Sequence, residues 1–143
     1  MRPPAFWDSS ALVPLCLREP LTNRALALHK QYQPVVWWGT SLEIAAALAR
    51  LLRIRQVDVA AWTQAKLLAK KLSDDWTVIQ PSENLRTQAE QILENYDLRA
   101  ADSLQFAAAL IWCEGSPQQN PFITADRRLR DAAQICGFQL PSL

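Results

Sequence analysis

The chain has one histidine, His29, and three cysteines among 143 residues. His29 falls on an amphipathic stretch and is read as neither metal ligand nor catalytic base. Cys16, Cys113 and Cys136 are odd in number, widely spaced and without a C-x-x-C pair. Neither a disulfide framework nor a zinc knuckle is therefore expected, and the three read as small buried apolar residues. Uncharged apolar runs of about 18 residues are also missing, which excludes a helix across a membrane. The N-terminus "MRPPAFWDSSALVPLCLREP" makes a poor signal peptide, since Asp8 interrupts the apolar stretch and two prolines precede it. A cytoplasmic protein is the default expectation. Charge of one sign is lacking too: the net charge of +1 neither demands nor forbids a polyanionic partner. No repeat or low-complexity segment is found.

What is present is globular: 50% hydrophobic and 20% charged residues. One domain over residues 1–143 is expected, long enough to bury about two-thirds of its unfolded surface. "AFWD" reads as a first strand ending at Asp8, and "SSALVPLCL" as a short helix with a serine cap, limited or kinked by Pro14. An amphipathic helix over 21–32 precedes a β-branched and aromatic strand over 34–39. Helices are predicted over 40–53, capped by Thr40 or Ser41, and over about 57–72, with Leu67 and Leu68 inward and Lys66, Lys70 and Lys71 outward. A third strand over 76–81, a helix over 82–95 capped by Ser82, and an apolar helix that Asp97 could cap come next. A loop over 115–121, a short strand "FIT", the helix "ADRRLRDAAQIC" with Gly137 at its end, and a last strand "FQL" complete the chain. Strands alternating with helices argue for an α/β domain with a mostly parallel sheet and helices on both faces.

The segment "LRAADSLQFAAAL", 98–110, sets Asp102 at the start of a helix that is apolar nearly all round. A lone ionised carboxylate beside such a helix costs several kcal/mol unless something compensates it. The plain reading is a first-turn acid favoured by the helix dipole, by about 0.3–1 kcal/mol. Asp8 ends the first strand, however, Glu43 opens the helix after the second, and Asp126 follows the short "FIT" strand. Residues past the ends of parallel strands gather in one crevice. Each acid alone has a plain explanation as a cap or first-turn charge; four together would repel unless a hard cation joined them. Oxygen ligands with no His or Cys among them suit Mg²⁺ or Mn²⁺.

Four segments, "FWDSSALV", "TSLEIAAALAR", "LRAADSLQFAAAL" and "FITADRRLRDAA", follow in this order across almost the whole chain. The ordered set resembles the PIN domain and, within it, the VapC-like toxin ribonucleases. That resemblance implies a three-layer α/β/α sandwich whose acidic pocket holds Mg²⁺ or Mn²⁺ and cuts RNA. Asp8 matches the acid after the first strand, Glu43 the glutamate of E-[IV]-x-x-A-L, Asp102 the acid of L-x-x-x-D-[AS]-L and Asp126 that of [TS]-x-D-x-x-L. Ser10 and Thr124 match hydroxyl positions expected to support the pocket through hydrogen bonds. Gln105 departs from the pattern, since many relatives carry a histidine there, and Trp7 and Trp38 are bulkier than the usual strand residues.

The expected function is then a metal-dependent endoribonuclease, the toxin of a type II toxin–antitoxin pair, cutting single-stranded or loop RNA to leave a 5′-phosphate and a 3′-hydroxyl. Asp8, Asp102 and Asp126 would bind the metal directly or through water, and Glu43 would hold a water of the metal or a second ion. Arg99, Arg127 and Arg128 are the candidates for gripping RNA phosphates. The resemblance further implies a small antitoxin whose tail lies across a groove formed partly by helices 41–53 and 57–72, and a homodimer. Competing readings are a catalytically silent PIN-like binding module, a phosphoryl-accepting receiver domain, and a PIN nuclease of RNA processing without an antitoxin.

Overall fold

The computed structural model describes residues 1–143. Strand β1 (Pro4–Trp7) leads into helices α1 (Ser9–Cys16) and α2 (Thr22–Gln31). Strand β2 (Gln33–Trp37) is followed by α3 (Thr40–Arg53) and α4 (Val59–Ser73), and β3 (Thr77–Ile79) by α5 (Glu83–Asn95) and α6 (Ala100–Trp112). A single 3₁₀ turn, Pro117–Gln119, precedes β4 (Phe122–Ile123) and α7 (Arg127–Cys136). All pairings are parallel and the strand order is β3-β2-β1-β4. This order places β1 between β2 and β4, with β3 outermost, and so removes the receiver reading, in which β1 lies between β2 and β3.

Successive strand side chains point to opposite faces of the sheet, and the sequence uses both. Phe6, Val35, Trp37 and Phe122 join the core under α5, α6 and α7. Ala5, Trp7, Val36 and Ile123 join a second core with residues of α1 to α4. Two apolar faces make a three-layer α/β/α sandwich, as the alternation of strands and helices implies. Alanine makes the close packing of α6 possible: Ala107, Ala108 and Ala109 are wholly buried, and the one large side chain in that turn, Phe106, meets Phe122, Phe138 and Tyr96 at centroid distances of 6.2, 6.0 and 5.4 Å.

The structure corrects several local expectations. The sheet has four strands: "FQL" contributes only an isolated parallel bridge, Pro121 to Gln139. Gly137 takes a left-handed φ of 103° and the Phe138 N–H closes back on Ala133, so that residue serves the helix end; Pro141 then lacks a ladder N–H. Helix α1 is capped by Asp8, one residue before the serines. Neither Thr40 nor Ser41 caps α3, whose cap position is Gly39, because Thr40 is buried and hydrogen-bonded to Gln105. Asp97 does not cap α6; Asp102 reaches back instead to the Arg99 N–H at 3.3 Å. On α4 the inward stripe is Trp62, Ala65, Ala69 and Leu72, at helical spacing, which leaves Leu67 and Leu68 exposed. Ser82 caps α5 and Lys66, Lys70 and Lys71 are exposed, as read.

Phe106→Ala is expected to cost about 3–5 kcal/mol, measured as a lower urea midpoint. A loss under 1 kcal/mol would place Phe106 outside the core described here.

Candidate active site at the carboxyl edge of the sheet

Because β1 is flanked by β2 on one side and β4 on the other, the chain reverses its direction of winding at β1, and a crevice opens beyond the β1 and β4 ends. Asp8 follows β1 directly and its N–H donates to the Ile123 carbonyl of β4 at 3.2 Å. Thr124 and Asp126 follow β4. Two hydroxyls tie the sides together: Ser10 Oγ and Thr124 Oγ1 stand 3.3 Å apart. Ser10 Oγ donates to Asp8 Oδ1 at 2.8 Å and accepts the Ala125 N–H at 2.9 Å, while Thr124 Oγ1 accepts the Asp126 N–H at 2.9 Å. Ser10 and Thr124 thus bridge the ends of β1 and β4 through their hydroxyls.

The four acids each sit at the start of a helix. Asp8 accepts the Ser10 N–H of α1, and Asp126 caps α7 through Oδ1 and the Leu129 N–H. Glu43 and Asp102 lie in the first turns of α3 and α6. The plain capping roles are thus real, and the dipoles of four helices aim their positive ends at the same edge.

They interact as two pairs. The charge of Asp126 bears on Asp8, and that of Asp102 on Glu43. Burial raises the Asp8 carboxyl from 3.8 to about 7, with the Thr124 and Ser10 hydroxyls offsetting part of the rise and Asp126 adding to it. Glu43 is also raised, first by burial, against hydrogen bonds from Gln105 and Ser9. No ion pair includes Asp8. As the side chains stand, no three of the acids enclose a position for a metal ion. Carboxylate and hydroxyl oxygens are nonetheless the donors that hard divalent cations take, and a buried carboxylate without a cationic neighbour is one that such an ion relieves. The donor chemistry fits Mg²⁺ or Mn²⁺.

Of the arginines, Arg99 approaches Asp102, Nε to Oδ2 3.6 Å, with its side chain 75% exposed. Arg127 and Arg128 are exposed on the first turn of α7, beside Asp126. His29 is half-buried and edge-on to Trp7 at 6.1 Å, and the charges that bear on it are those of Arg2 and Asp75, not of the four acids. The sequence assigns Ser9 and Thr40 no role beyond capping, and the departure at Gln105 bears there on a supporting contact or on substrate preference, not on metal binding. In the structure Ser9 Oγ donates to Glu43 Oε1 at 3.1 Å and Gln105 Nε2 to Glu43 Oε2 at 3.0 Å. The available signal was spacing, since Gln105 lies one turn beyond Asp102.

An all-parallel four-stranded sheet with helices on both faces and acids at its carboxyl edge defines a PIN-like α/β/α fold. The same fold is found, at 18% identity and a TM-score of 0.68, in a toxin–antitoxin complex from Klebsiella pneumoniae, over 96% of this chain and 98% of that one. A protein from Pyrobaculum aerophilum matches at 19% identity and TM-score 0.67, over 98% and 90% of the two chains. VapC20 of Mycobacterium tuberculosis, described as a sarcin–ricin loop cleaving toxin, matches at 19% identity and TM-score 0.65, over 90% and 94%. No sequence-family model and no curated protein matches the chain. At these identities the likeness concerns the fold.

An acid whose folded pKa is raised holds its proton more tightly folded than unfolded, so it destabilises the fold as pH rises between the two values. For Asp8 the window runs from 3.8 to about 7. The metal-free protein is expected to lose thermal stability across this window, with a shallower loss in Asp8→Asn; equal slopes in the two proteins would contradict the burial of an unpaired carboxylate there.

Proposed function

We propose that the chain is a divalent-metal-dependent endoribonuclease and the toxin of a toxin–antitoxin pair. The observation that carries this reading is Asp8: a fully buried carboxylate, braced by Ser10 and Thr124, beside Asp126 and without a cationic partner. Such an arrangement is costly for a cap alone and favourable once a cation is held. The fold shared with an RNA-cleaving toxin and with a toxin–antitoxin complex supports it.

Asp8, Asp102 and Asp126 would hold Mg²⁺ or Mn²⁺, directly or through water, which supplies an activated nucleophile near neutral pH and stabilises charge on the phosphorus. Glu43, fixed by Ser9 and Gln105, orients the attacking water. Ser10 and Thr124 keep Asp8 and the β4 end in register. Arg99, Arg127 and Arg128, exposed around the acids, neutralise RNA phosphates. In-line departure of O3′ leaves a 5′-phosphate and a 3′-hydroxyl, and a chain with one histidine has no histidine pair to serve a 2′-hydroxyl route.

The proposed partners are single-stranded or loop RNA, a small antitoxin and a second copy of the chain. A groove of about 260 Å³ between α3 and α4, lined by the apolar Ile44, Ala45, Leu48, Ala69 and Trp76 and also by Lys66 and Lys70, supports an antitoxin segment with apolar and acidic side chains. It continues toward Trp38, Leu42 and Val78, all exposed. No helix is long and apolar enough to cross a membrane, and a single cytoplasmic domain belongs to the same proposal. A silent PIN-like module accounts poorly for the burial of Asp8 beside Asp126 without a cation; a processing nuclease without antitoxin leaves the α3–α4 groove without a use.

Incubation of the purified chain with a structured RNA pool, with Mg²⁺ or Mn²⁺ and with EDTA, tests the proposal. The expected result is metal-dependent cleavage with 5′-phosphate ends, reduced at least about a hundredfold in Asp8→Asn. Cleavage that persists in EDTA, or that Asp8→Asn leaves intact, would overturn it.

A further inference from the structure

Gln105 is an unusual occupant of its position. It lies on α6 among alanines and Phe106, is 1% exposed, and projects its amide toward Thr40 and Glu43 in the first turn of α3. A buried amide is tolerated only when its donors and acceptor are met. Here they are: Nε2 donates to Thr40 Oγ1 and to Glu43 Oε2, both at 3.0 Å, and the Thr40 hydroxyl lies 3.4 Å from Oε1. Thr40 is itself wholly buried. The amide cannot be turned over, because Oε1 would then face the Glu43 carboxylate.

With Ser9 Oγ on Glu43 Oε1, both oxygens of Glu43 are held, from α1 on one side and α6 on the other. Both donors are neutral. A lysine or arginine in place of Gln105 would also fix the carboxylate, but it would cancel its charge and oppose a cation nearby. An apolar residue would strand the buried Thr40 hydroxyl and would leave Glu43 held by Ser9 alone.

We propose that Gln105, anchored by Thr40, is a positioning residue that holds the Glu43 carboxylate in the orientation used for cleavage. The kinetic consequence rests on the nuclease reading above; the clamp itself does not. Since Gln105 meets no substrate, its loss acts on the reaction step and leaves substrate binding intact.

The test uses Gln105→Met, which keeps length without donors, and Gln105→Asn, which keeps the amide but shortens its reach. Each is assayed for RNA cleavage with Mn²⁺, with thermal unfolding run alongside. Both variants are expected to lose about tenfold or more in kcat while KM stays within about twofold. An unchanged kcat in either folded variant, or a loss confined to KM, overturns the proposal, and Gln105→Asn serves if Gln105→Met does not fold. A second arm needs no activity: the side-chain amide of Gln105 is followed by ¹⁵N NMR in the wild type and in Glu43→Gln. Slow exchange with solvent, and a resonance displaced in Glu43→Gln, support the clamp. Fast exchange and an undisplaced resonance overturn it. If the wild type cleaves no RNA and the amide is protected, the nuclease reading fails and the clamp stands.

Discussion

Everything at this site follows from ending the central strand of a parallel sheet with a carboxylate. β1 is flanked on both sides, so the residue after it emerges between β2 and β4, below helices that exclude water. An aspartate there is desolvated, and desolvation is the largest cause of its raised pKa. The fold meets this cost in part locally, with the Ser10 hydroxyl, the Ser10 N–H and the α1 dipole. Asp126 is then brought beside it, which increases the cost. A chain that needed only a helix cap has serine and threonine available without that repulsion.

The same logic extends to the second pair. Glu43 and Asp102 come from α3 and α6, on opposite faces of the sheet, and the charge of Asp102 reaches Glu43 because both helices start at its carboxyl edge. Hydroxyls and one amide, not cations, are spread among the acids: Ser9, Ser10, Thr124 and Gln105 each donate or accept within the group. Neutral donors orient carboxylates while leaving their charge available. Only Arg99 intrudes, and it is mostly exposed.

The architecture was legible because the strands are short and bounded, and because their apolar residues alternate faces, as Ala5, Phe6 and Trp7 do. The acids were legible too, since strand ends and first turns are marked by composition. What escaped was whatever depends on a neighbour distant in sequence. The serine cap of α1 was misplaced because Asp8 competes with Ser9 and competes better by also standing at the strand end. Thr40 has every property of a cap and is withdrawn into the core by Gln105, 65 positions away. "FQL" has strand composition, yet the Gly137 turn commits its first N–H to α7. The division of the acids into two pairs is likewise a matter of side-chain placement, to which strand order alone is blind.

A cation site shared by the four acids is the claim on which the functional reading turns, and Mn²⁺ binding measured by calorimetry on the metal-free protein tests it without any RNA. Wild type should bind Mn²⁺ in a defined ratio to the chain, and Asp8→Asn and Asp102→Asn, one from each pair, should each weaken binding by about tenfold or more. No Mn²⁺ binding by the wild type, or wild-type affinity in a folded Asp102→Asn, would contradict a site built from both pairs.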